Sequence, residues 1–412
     1  MANDIQRTKE IEAFVFKEAT KGTLALASFA GSTAIRLSAV PQFNQQPGFT
    51  ESTEIVNSRS RADRFNDAFP AGSCSLKHYA RIGDDKTADP EHNVLYEAAL
   101  GAKTANDGDK TLYSLAVAKP SVQLLIKESD MVFALVGAVV DKLSAGLQKK
   151  GAIEFTHDIR FMRSYRCGKV DFAAGMTYTA GTLTIVLPTA PGDDYKKYAA
   201  GMRIKIWDAS ASAYMTDGTN AYFTIASVDS ATNSIVITVI VDGGWTPATG
   251  DRIDPWYPTA SLPTTRILEM RSGKVYKTTA GGTATPIRSC DFSLADNVQM
   301  LEEEITDSGY PEDYVEGQRV VDAKVSLVLR ADDLKYFYDG ENKTTHGLYI
   351  EGRDPSSPTV RTNALQLAMP KAMGNVPALS GENVRYLNVE YAALVSAAVE
   401  DELTMTWGDL TA

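Results

Sequence analysis

The chain has 412 residues, 44% hydrophobic, 23% charged and 9% aromatic, which suffices for a large core and excludes a disordered, collagenous or low-complexity polymer. Three cysteines far apart, Cys74, Cys167 and Cys290, exclude a disulfide framework, and no Cys/His spacing suits zinc. The net charge of -11 excludes a protein that grips nucleic acid through a broad basic surface.

That charge is unevenly placed. Basic and acidic residues number 22 and 21 in 1–175, 5 and 8 in 176–260, and 14 and 23 in 261–412, so the acidic excess belongs to the last third. Residues 1–10 lack the cationic-then-apolar pattern of a secretory signal, and the longest apolar run, 131–140, is half the length of a membrane span. Folding in a cytoplasm, away from membranes, is the expectation.

In chain order, the first flank predicts a strand at 37–43 and a long polar loop at 43–70. A strand follows at 73–81, then a short helix at 94–100 closed by Gly101, and strands at 121–127, 132–140 and 152–162. Glutamate then disappears between Glu154 and Glu269. Short β-branched runs at 182–187, 202–207, 222–228 and 234–241, separated by turn-rich stretches, read as a small β-barrel or sandwich. Trp256-Tyr257-Pro258 is expected to lead out of it into a linker near Pro263.

The second flank repeats the order of the first. A strand at 292–298 precedes a polar loop at 301–318, a strand at 323–330, a helix at 332–338 followed by Gly340, and strands at 363–369, 382–395 and 401–407. Residues 37–43 and 292–298 stand 255 apart, and Thr50-Glu51-Ser52 and Thr306-Asp307-Ser308 stand 256 apart, a nearly constant register that argues for duplication. Alternation over 385–391 puts Tyr386, Asn388 and Glu390 on one face and Arg385, Leu387, Val389 and Tyr391 on the other.

The fold expected is therefore mainly β. Two tandem β-sandwich or barrel domains, 1–175 and 261–412, each carry a short helix, with a small β domain inserted at 176–260.

Catalytic motifs are missing. His78, His92, His157 and His346 stand in no metal spacing, and there is no GxSxG elbow, phosphate loop or dinucleotide fingerprint. The acidic run Glu302-Glu303-Glu304 with Asp307 reads as a solvated charge cluster. No enzyme activity, cofactor or metal is expected. The two polar loops are more informative. One carries Phe43, Phe49, Arg59, Arg61, Arg64, Phe65 and Phe69, the other Tyr310 and Tyr314, and aromatic and arginine side chains are enriched at protein interfaces. They are read as docking elements between subunits.

Three features resemble the major tail tube proteins of long-tailed, non-contractile bacteriophages. They are the strand, loop and strand order from Ser38 to Arg81; the pair around residues 133–141 and Lys149-Lys150-Gly151; and the series at 365–372, 379–382 and 389–394. The resemblance covers residues 20–170 and 285–412. It implies a structural virion protein, assembled in the host cytoplasm, whose sheets join into a channel conducting viral DNA without specific binding.

Two tube domains per chain imply trimeric rings of pseudo-sixfold character, stacked around a tape-measure protein and capped by a tail-terminator protein, with the inserted domain outside. Glu390, Glu400, Asp401 and Glu402 are then the candidates for an acidic lumen. The competing expectation is a β-rich virion-associated carbohydrate-binding module or glycan-active enzyme, with Trp207, Trp245 and Trp256 stacking on sugars.

Overall fold

The computed structural model describes residues 11–29, 34–51, 64–66, 69–83, 87–148, 151–188, 194–242, 244–259, 265–302, 309–356, 361–396 and 400–411. The chain is mainly β, with two short α-helices among the described residues. It forms two compact units. One contains residues 1–34, 122–138 and 162–261; the other contains 35–121, 139–161 and 262–412. This grouping cuts across the sequence division, because 176–260 shares a unit with strands from 1–175.

In chain order, the strands that matter are β1 (Ile11–Lys17), β2 (Gln42–Asn44), β3 (Gly72–Tyr79), β4 (Val122–Glu128), β5 (Met131–Gln148), β6 (Glu154–Phe161) and β7 (Arg163–Gly168). Helix α1 (Asn93–Leu100) follows β3. The second series is β8 (Glu269–Lys277), β9 (Ser289–Ala295), β10 (Val320–Val328), β11 (Thr345–Arg353), β12 (Ala364–Gly374), β13 (Ala378–Ser380), β14 (Tyr386–Ala393) and β15 (Thr404–Gly408), with helix α2 (Lys335–Glu341) after β10.

The same antiparallel ladder is built twice. β2 pairs β3, β3 pairs β6, and β6 pairs the second half of β5. Likewise β9 pairs β10, β10 pairs β14, and β14 pairs the end of β12. A second ladder runs β1, β4, first half of β5, β7 in one copy. Its counterpart is β8, β11, first half of β12, β15.

In each copy one long strand serves both ladders, changing partners at Gly137 in β5 and around Pro370 in β12. Both residues relax the ladder there. Gly137 takes φ +61°, a conformation costly for any other residue, and proline has no N–H to donate.

Alternation explains the layers. In β14, Leu387, Val389 and Tyr391 are buried while Glu390 is exposed, as the 385–391 pattern predicts. β3 and β6 alternate the same way, burying Cys74, Leu76 and His78 and then Phe155, His157 and Ile159. α1 buries Leu95, Tyr96, Ala98, Ala99 and Leu100 and ends where Gly101 turns at φ +106°. The second helix differs from expectation. A 3-10 turn (Ala331–Leu334) precedes α2, and Gly340 lies inside the helix instead of beyond it, with the backbone of Asn375 and Val376 so close that a Cβ at 340 would collide.

The four runs foreseen in the insert are strands, Thr184–Val186, Arg203–Asp208, Phe223–Asp229 and Ser234–Ile237, within a sheet of eight. Its core joins Ile204, Ile206, Phe223, Ile235, Ile253, Trp245 and Trp256 to Phe14 and Leu125 of β1 and β4. Trp256 is therefore core rather than the start of a linker.

Candidate assembly interface

The two copies meet edge to edge. The second half of β5 pairs β9 from Lys142 with Ala295 to Gln148 with Ser289, seven residue pairs in uninterrupted register. This joint places β2–β3–β6–β5 beside β9–β10–β14–β12 as one run of strands. Among the described residues, its outermost members are β2, which pairs only β3, and β13, which pairs only β14. Unpaired edges expose backbone donors and acceptors and invite another strand. All three residues of β13 are exposed, and Leu379 is 50% exposed.

One face of this run is polar. Cross-strand neighbours put Lys142 opposite Asp158, and Asp291 opposite Lys324, which in turn faces Glu390. Lys324 and Glu390 are 2.9 Å apart, and the hydrogen bond to the carboxylate, with its charge, raises the lysine pKa. In these strands the face carries cations, among them Lys77, Lys142, Arg160 and Lys324, and carboxylates, among them Glu154, Asp158, Asp291, Asp322 and Glu390. Serine, threonine and asparagine fill many of the positions between, including Asn388, whose amide donates to the Ser380 hydroxyl, and Val320 and Val328 are exposed on the same face.

Of the acidic candidates, only Glu390 lies on this face. Glu400 is ion-paired to Arg319, which also holds Asp296 at 3.0 Å. Asp401 accepts hydrogen bonds from the backbone and hydroxyl of Ser396, and Glu402 is half-buried beyond it.

The docking candidates divide. Arg59 and Arg61 lie outside the described residues, and for Arg64 and Phe65 only the backbone strand Arg64–Asn66 is described, paired with Phe49–Glu51. The second loop has a matching hairpin, Gln299–Met300 with Tyr314–Val315. Phe49 is 53% exposed, whereas Phe43 sits half-buried in β2.

The structure ties the end of the first loop to the second loop. The Phe69 ring stacks on Tyr310 at 4.6 Å, the Phe69 N–H donates to the Gly309 carbonyl, and the Ala71 N–H donates to Glu302. Glu303, Glu304 and Asp307 lie outside the described residues. The Tyr314 hydroxyl reaches the Lys119 carbonyl at 3.3 Å, and the Lys119 ammonium is buried on Asp296.

Three histidines meet where no motif foretold it. His78, His92 and His157 are buried together, with ring centroids 4.2 and 5.0 Å from His78. Burial pushes the His78 pKa down to about 4 and holds the other two well below the ordinary histidine value. His78 and His157 come together because β3 pairs with β6, and His92 joins them from the start of α1, an arrangement that no local sequence signal announces. Among the described residues no His, Cys, Asp and Glu group is placed to hold a metal ion.

Of the sugar-stacking candidates, Trp245 and Trp256 are in the core, and Trp207 packs edge-on against Tyr214 at 5.1 Å under the Arg252 guanidinium. No family model matches this sequence, and no curated protein matches it either.

Proposed function

We infer that the chain is a structural subunit that polymerises through its sheet edges into rings, and that stacked rings form a bacteriophage-type tail tube. The observation that carries this reading is the β5–β9 joint. It is heterologous, the last strand of one ladder meeting the first of the next copy, and such contacts close into rings when the rotation allows. Among the described residues, the chain contains one such joint and leaves open the edges of another, β13 on one side and β2 on the other. Three chains would bring together six copies.

The polar face then lines the channel. A near balance of cations and carboxylates, several of them paired across strands, offers a passing polyanion neither a grip nor a strong barrier. Purified protein imaged by negative-stain electron microscopy should show rings with a central hole and stacks of them. A strictly monomeric protein at high concentration would overturn the proposal.

A further inference from the structure

The joint inside the chain is a template for the seam between chains. Equivalent positions follow from a bond that both copies make: the Ala80 N–H donates to the Ile153 carbonyl in the first, and the Leu329 N–H to the Arg385 carbonyl in the second. Counted from there, Gln42, Phe43 and Asn44, opposite Ser75, Cys74 and Ser73, correspond to Asp291, Phe292 and Ser293, opposite Lys324, Ala323 and Asp322. In the same way Ser144, Ala145 and Gly146, opposite Thr156, Phe155 and Glu154, correspond to Ala378, Leu379 and Ser380, opposite Asn388, Leu387 and Tyr386.

These are the residues that the β5–β9 joint puts together. Ser144 faces Ser293, Ala145 faces Phe292 and Gly146 faces Asp291, with Ala145 and Phe292 buried on the core side. Their counterparts are the whole of β13 and the whole of β2, and among the described residues neither strand is paired on its outer side. The faces match as well. Leu379 lies on the face of its buried neighbour Leu387, and Phe43 on that of buried Cys74, while Ala378, Ser380, Gln42 and Asn44 are exposed on the polar face.

We propose that β13 of one chain pairs antiparallel with β2 of a second copy of this chain, Ala378 opposite Asn44, Leu379 opposite Phe43 and Ser380 opposite Gln42. Leu379, half exposed in the single chain, then meets Phe43 across the seam as Ala145 meets Phe292 within the chain. A slip of one residue would set Leu379 opposite Gln42 or Asn44 and break the apolar row. The inference rests on the ring-forming reading, to which it adds the direction and register of the contact.

Double-cysteine variants read that register. After assembly and mild oxidation, chains carrying Gln42→Cys with Ser380→Cys, or Asn44→Cys with Ala378→Cys, should run as covalent oligomers on denaturing, non-reducing gels. Chains carrying the crossed set, Asn44→Cys with Ser380→Cys, should run as monomers, because diagonal positions on neighbouring strands lie too far apart for a disulfide. The native thiols do not compete, because all three are buried and burial pushes their pKa values up, to about 12 for Cys74.

Rings in which only the crossed set links, or no set does, overturn this register while leaving the ring reading intact. Wild-type protein that forms no rings overturns both.

Discussion

Phe69 and Tyr310 stack nearly parallel, 12° apart, although 241 positions separate them in the chain. Phe69 stands at the end of the first long polar loop and Tyr310 within the second, so the two loops of one chain are tied to each other. Loops meant to reach a neighbour gain from this, since an ordered base reduces the entropy lost on docking. A double-mutant cycle with Phe69→Ala and Tyr310→Ala should give a coupling of about 0.5–1.5 kcal/mol in chemical denaturation. Independent effects would mean the stack contributes nothing.

The free edge offers a direct test of assembly. Val376 and Leu379 are each 50% exposed at the β12–β13 end, so replacing both by lysine should cost folding stability only about 0.5 kcal/mol or less. Charges on an edge strand block pairing with another chain. Ring formation, followed by sedimentation, should be lost while the melting temperature holds; rings at wild-type yield would place the seam elsewhere.

Acid should weaken the fold through the buried imidazoles. His78, His92 and His157 are held neutral in the folded chain, whereas an unfolded histidine binds a proton near pH 6.5. Their contribution is therefore complete above that pH and is lost as the pH falls toward 4. The melting temperature should decline across that window, and His157→Leu should decline less steeply. A slope equal to the wild type would assign the acid sensitivity to other groups.

Gly137 marks where β5 changes ladders, and the strand tolerates nothing larger there. Its φ is +61°, and an added Cβ would stand 2.4 Å from the Met162 sulfur. Gly137→Val should destabilise by about 2 kcal/mol or more, read as a lowered denaturation midpoint. A midpoint within error of the wild type would show that the partner change does not depend on this conformation.

Strand alternation made much of the fold readable. Leu387, Val389 and Tyr391 are buried as their spacing requires, α1 stops at the glycine that marks its end, and the Glu-free insert folds as short strands. These are local signals, set by side-chain periodicity and turn residues within a few positions. Gly340 misled because glycine is also used where two backbones approach closely, and that approach is set by Asn375 and Val376, 35 residues on.

Length, acidity, the sparse cysteines and the doubled order of elements were settled by the sequence alone, because composition and periodicity are properties of neighbours along a chain. Only the tertiary structure decided that β5 joins β9, that Glu390 shares a face with Lys324 while Glu400 is bound to Arg319, and that three histidines meet. Strand pairing brings together residues hundreds of positions apart. The acidic excess of the last third therefore does not translate into an acidic face, since pairing draws cations and carboxylates from both copies into the same rows.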